Sequence, residues 1–191
     1  MTRIFPKQPQ MNANERGFTL VELLVVVSMV GILAALAMVG YKKYIATAQA
    51  SEAAAMIQGI RGGQEAHRAE TLVYLQCSSA LTDYYPAAPD DRKRSWAGLD
   101  SNTKWQCWRR LNVAADAPVR FGYAVMAGMA ADTVPALAGY ADPPAPWPPA
   151  VFTREPWYVV QAAGDRDADG IKALFIAGSH SGEIYSENDS E

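Results

Sequence analysis

The sequence has little of what catalytic sites draw on. Its 191 residues include two histidines and two cysteines, and they do not fall at zinc-ligand spacing. No phosphate-binding loop or dinucleotide fingerprint occurs. His180 lies in Gly178-Ser179-His180-Ser181-Gly182, where histidine holds the place that the serine of a nucleophile elbow would need. His67 and His180 therefore read as surface or turn residues, and the chain as no enzyme. Positive charge is not in excess either. The net charge is −3 and the basic residues are scattered, giving no footprint for nucleic acid. No internal repeat is apparent.

Charge is also missing, locally, from Leu20–Gly40, which carries only Glu22, whereas the chain after Tyr41 is mixed and polar. A secretory signal peptide would need a shorter apolar stretch, of roughly 7–15 residues, and no acid at its start, although Ala35-Leu36-Ala37 imitates a cleavage site. A plain membrane anchor fits the length, since 21 helical residues span about 31 Å against a hydrocarbon core of about 30 Å. Basic residues before the run favour a cytoplasmic N-terminus and an exported remainder, a signal that Lys42 and Lys43 blunt without reversing. Neither reading explains Glu22, because a carboxylate in hydrocarbon costs a few kcal/mol unless a cation meets it.

The string Arg16-Gly17-Phe18-Thr19-Leu20-Val21-Glu22-Leu23-Leu24-Val25-Val26-Val27 explains it. It resembles the signal of type IV prepilins and type II secretion pseudopilins, and the likeness extends over Gly17–Gly40. The resemblance implies that a prepilin peptidase cuts after Gly17 and methylates the new amino terminus at Phe18. It also implies that Glu22, fifth in the mature chain, meets the Phe18 ammonium of a neighbouring subunit. Glycine at the cut lets the backbone approach the peptidase closely. Pairing acid with amine would relieve the desolvation of both charges; the plainer alternative is that Glu22 snorkels to the headgroups. Where many members of the family have a proline near the end of the run, this chain has Val39-Gly40.

Residues 1–17 are then a cytoplasmic leader, or a seven-residue one if Met11 is the start. Its removal takes Arg3, Lys7, Arg16 and Glu15 from 17 basic and 20 acidic residues, leaving 14 and 19, a net charge of −5. Residues 18–41 form the transmembrane and assembly helix. Residues 42–75 form an amphipathic stalk with a stripe of Ile45, Ala48, Ala53, Met56, Ile60 and Gly63, a break at Gly62-Gly63 and a frayed end. Residues 76–191 form the exported head.

Within the head, residues 76–118 read as loop. Trp96, Trp105 and Trp108 read as core, with an exposed adhesive surface as the alternative. Strands are expected at Val119–Ala127, with Phe121, Tyr123 and Val125 inward, and at Trp157–Ala163, Ile171–Gly178 and Glu183–Ser186. The prolines of Asp142–Pro149 forbid ladder hydrogen bonds and mark an exposed loop or linker. The fold class is α+β, pilin-like, with a long N-terminal helix packed on a roughly four-stranded antiparallel sheet. In an exported head Cys77 and Cys107 read as a disulfide, closing a loop of about 31 residues and worth about 3–4 kcal/mol.

Asp165, Asp167 and Asp169, followed by Gly170, alternate as carboxylates that converge on one hard cation do, which suggests calcium. The loop is not an EF-hand, since Ile176 stands where the bidentate glutamate belongs. The alternative is a solvated hairpin turn. The expected function is a structural subunit of a type IV pilus-type filament, a minor pilin; the alternatives are a type II secretion pseudopilin and, in another class, an exported enzyme on a plain anchor. The partners implied are other pilin or pseudopilin subunits, the prepilin peptidase, the inner-membrane assembly platform and membrane lipid. The implied location is the inner membrane with a periplasmic head, then a periplasmic or cell-surface filament.

Overall fold

A computed structural model describes residues 17–87, 89–98, 102–137 and 139–189. The bulk of the leader lies outside the described residues. The chain divides into two compact units, the second beginning at Lys43.

Helix α1 runs over Leu20–Thr71. Gly40 does not interrupt it, as a glycine costs a helix only about 1 kcal/mol where proline costs about 3. In the first unit its apolar side chains, from Leu20 to Val39, are exposed. This is a helix long and apolar enough to cross a membrane.

In the second unit α1 buries one stripe: Ala46, Ala53, Ile57, Ile60 and Gln64. The spacing of seven, four, three and four residues keeps them on one helix face. Ala53 and Ile60 match the expected stripe, but Ala48 is exposed and Met56 and Gly63 are only half-buried. The stripe is rotated because Gln64, which its polarity would place outside, finds hydrogen-bond partners inside. Gly62-Gly63 is no break. A Cβ on Gly63 would run into the Leu111 carbonyl oxygen, whereas one on Gly62 would meet open space. Gly63 is thus a close-packing position. The helix ends at Thr71, four residues before the expected end, with Leu72 left-handed at φ 66° and its N–H bonded to the Arg68 carbonyl at 2.8 Å.

The sheet is an antiparallel meander, β1 (Gly122–Gly128), β2 (Trp157–Gly164), β3 (Ala173–Gly178) and β4 (Tyr185–Glu187), in that order. Pairs such as Val125 with Val160 and Ala162 with Phe175 set the register. Tyr158, Val160 and Ala162 of β2, with Phe175 of β3, pack toward Ala53, Ile57 and Ile60 of α1. Phe121, Tyr123 and Val125 join the same core, as their alternation requires. β2 is buried along its whole length, which is why its apolar pattern shows almost no alternation.

The opposite face of β2 is covered too. Leu81, Phe152, Trp157, Val159 and Ile176 form a second core, against which Val134, Leu137, Tyr140 and Trp147 pack. The proline-rich segment is mostly exposed, as expected, but Trp147 anchors it: the indole N–H donates to the Pro135 carbonyl at 3.0 Å and the ring meets Phe152 edge-on.

Among the described residues of 76–118 is a helix that the sequence did not suggest, α2 (Thr103–Arg110). Asn102 caps it, its side chain accepting from the N–H groups of Lys104 and Trp105. Eight residues with few apolar positions leave too short a pattern to read. The helix turns Trp108 inward beside Trp96 and Tyr85; Trp96 and Trp108 are fully buried, and Trp105 is half-buried. The tryptophan set is core.

Candidate processing and assembly site

Gly17, Phe18 and Thr19 form a short non-helical segment directly ahead of α1. Gly17 is exposed and Phe18 is 85% exposed, so both residues that flank the expected cut are accessible. Thr19 is the N-cap. Its backbone N–H and its hydroxyl both donate to Glu22 Oε2, at 2.9 and 2.8 Å, and the Glu22 N–H donates back to the Thr19 Oγ1 at 3.2 Å. This is a capping box, in which each side chain satisfies a backbone N–H that the first turn leaves without a helical partner. Glu22 Oε1 accepts no hydrogen bond among the described residues.

The arrangement places an acid, one carboxylate oxygen still open, within one turn of the bond at which the sequence expects cleavage. Thr19 is the member of this site that the sequence reading missed. The signal was present: threonine followed three residues later by glutamate, ahead of an apolar run, is a helix-start pattern.

Residues 12–38 match the family described as the prokaryotic N-terminal methylation motif. The chain carries a prepilin methylation motif. Its relatives are type IV pilins and fimbrial proteins. A fimbrial protein of Moraxella nonliquefaciens is 51% identical over 51 residues, covering 27% of this chain and 32% of that protein. The type IV major pilin protein PilE1 of Neisseria gonorrhoeae is 40% identical over 75 residues, covering 39% of this chain and 35% of that one. The type IV major fimbrial protein FimA of Dichelobacter nodosus is 45% identical over 51 residues, 27% of this chain and 32% of its own. The chain spans about a third of the length of these curated relatives. No solved structure matches.

The other residues singled out in the sequence lie in the second unit. Cys77 and Cys107 are joined in a disulfide, with Cα atoms 5.5 Å apart. It ties the segment after α1 to α2. Asp165, Asp167 and Asp169 are brought together in the β2–β3 turn, each offering a carboxylate oxygen within 4.8 Å of the others. Asp165 is 8% exposed. His180 stands edge-on to Phe152 at 5.2 Å, and burial together with the nearby Arg61 charge holds it below the ordinary imidazole value. Arg61 itself reaches from α1 to the carbonyls of Ser181 and Gly182. The histidine belongs to a turn fastened to the helix.

Proposed function

We propose that this chain is a structural subunit of a type IV pilus-type filament, cut by a prepilin peptidase after Gly17 and methylated at the amine of Phe18. The observation that carries the reading is the adjacency of three features: an exposed Gly17–Phe18 pair, a capped helix start with Glu22 in its first turn, and a helical stretch whose apolar side chains are exposed. Before assembly that stretch crosses the inner membrane, with the head on the periplasmic side. After assembly it packs against the same stretch of other subunits, and the Phe18 ammonium of one subunit meets Glu22 of the next. The assembly platform and membrane lipid are its partners on the way.

A pilus is favoured over a type II secretion filament because the relatives bear pilin and fimbrial names. The minor-subunit reading is supported by the tryptophan-bearing, proline-rich build of the head, whose proline-rich segment is anchored on the outer sheet face through Trp147.

The test is the mass of the N-terminus in chain recovered from host membranes. N-methyl-Phe18 is the expected result. A chain that still begins at Met1 or Met11 overturns the proposal and leaves a plain anchor with a different exported activity.

A further inference from the structure

The β2–β3 turn, Asp165 to Lys172, contains a buried carboxyl group that makes no ion pair among the described residues. Asp165 directly follows the last residue of β2, so the sheet fixes its position, and it is 8% exposed. Its Oδ2 accepts the Gly170 N–H across the turn at 3.2 Å, which draws the carboxylate inside the ring of backbone. Its Oδ1 is buried and has no hydrogen-bond partner. A polar oxygen shut off from water and left unpaired is costly, and native structures rarely leave one so. Asp167 and Asp169, both exposed, converge on the same spot, with ligand oxygens mutually within 4.8 Å. The Asp169 Oδ1 is held in place by the Ile171 N–H at 2.7 Å.

We infer that this turn is a divalent-cation site of the calcium type, with Asp165, Asp167 and Asp169 as its carboxylate ligands. From Asp165 to Lys172 the turn holds three aspartates against Arg166 and Lys172, one negative charge in excess, and its carboxylates rather than its bases are the groups that converge. The ligands are all hard oxygens, which excludes the soft-ligand metals. The turn supplies three carboxylates, so backbone carbonyls and water complete the six to eight oxygens that calcium takes; magnesium, with its strict octahedron, fits a loop of this kind less well. The ion cross-links the connection between the two central strands, and the inference stands apart from the filament reading.

The experiment uses the full chain in detergent, stripped with EDTA and titrated with calcium chloride, with sodium chloride added to the control at matched ionic strength. Calorimetry is expected to show one calcium per chain, with a dissociation constant on the order of 0.1–1 mM, typical of extracellular sites. The thermal midpoint is expected to rise by roughly 5–10 °C at a hundredfold excess over that constant. The paired variant Asp167→Asn, Asp169→Asn changes only exposed side chains. It is expected to melt like the unaltered chain in EDTA and to bind calcium at least tenfold more weakly. No heat and no change of midpoint up to 10 mM calcium, an equal rise with matched sodium chloride, or undiminished binding by the variant would each overturn the inference.

Discussion

Gln64 holds the backbone of Leu75 with both ends of its side-chain amide: Nε2 donates to the Leu75 carbonyl at 2.6 Å, and Oε1 accepts the Leu75 N–H at 2.9 Å. Gln64 is wholly buried, so it offers an extended segment the two groups that a neighbouring strand would otherwise provide. The chain leaving α1 is thereby turned toward β1, where the N–H groups of Cys77 and Ser78 reach the Val125 carbonyl. Gln64→Leu keeps the bulk and removes both bonds, leaving the N–H and C=O of the half-buried Leu75 without these partners. The expected loss is about 1–3 kcal/mol, since each bond is worth about 0.5–1.5 kcal/mol. It is checked by thermal or urea unfolding of the full chain in detergent.

Gly62 and Gly63 are adjacent in sequence and opposite in consequence. Gly62→Ala adds a methyl in open space and gains helix propensity, an expected stabilisation of about 0.5–1 kcal/mol. Gly63→Ala drives its methyl into a backbone carbonyl, at Leu111, that cannot step aside without moving the end of α2. Its expected cost is about 1–3 kcal/mol. Two variants shifting in the same direction would contradict the close approach of Leu111 to Gly63.

These positions show where sequence patterns ran out. The four strands were legible because β-branched and aromatic runs bounded by turns need no tertiary information, and their observed limits fall within a few residues of those expected. The N-terminal motif was legible because glycine, phenylalanine, glutamate and the apolar run must all be in register. Gln64 and Gly63 were not, since each is explained by a partner distant in space: a polar side chain faces inward only when the fold brings Leu75 to it, and a glycine is a contact only when Leu111 approaches. Helix α2 escaped because its support is Asn102 capping and the burial of Trp108, not an apolar stripe. The second core behind β2 escaped because prolines signal a loop, and nothing local says that Trp147 will anchor that loop to the sheet.

Asp83 gives the head a predictable acid sensitivity. It pairs with the Lys104 ammonium at the start of α2 and accepts from the Ser79 N–H. These contacts, the lysine first, hold its carboxyl down to about 2 from an ordinary value of 3.8. A depressed folded-state value means that the stabilisation is fully present above the unfolded value, near pH 5 and higher, and is lost as pH falls toward 2. Because the pair is partly open to solvent, the expected worth is about 1 kcal/mol. Asp83→Asn should melt a few degrees lower at pH 7, and the gap should close by about pH 2. A gap independent of pH would assign the effect to hydrogen bonding alone.

The Cys77–Cys107 disulfide closes a segment with a sequence separation of 30 whose described residues include one short helix, α2. Opening it restores chain freedom to the unfolded state, worth about 3–4 kcal/mol for a loop of that length. The double variant Cys77→Ser, Cys107→Ser should melt roughly 10 °C lower, with most of the change in the region of α2. Hydrogen exchange would register that as lost protection at Trp105–Arg110.

Glu22 has two physical uses, and they can be separated. As the acid at the third helical position of a capping box it serves its own helix, and there glutamine replaces it well, because the amide oxygen still accepts from Thr19. As a counter-charge for the Phe18 ammonium of a neighbour it needs a full negative charge, which glutamine lacks. Thr19→Ala removes the cap, at a cost of about 1 kcal/mol, and leaves the charge. If pairing governs assembly, Glu22→Gln should be cleaved after Gly17 at the normal rate yet build few filaments, because each added subunit would bury an uncompensated ammonium at about 3–5 kcal/mol. Thr19→Ala should then still assemble. If capping governs, the order reverses, with Thr19→Ala defective and Glu22→Gln near normal. Counting filaments beside the mass of the processed N-terminus reads both outcomes at once, and the reversed order would retire the inter-subunit ion pair.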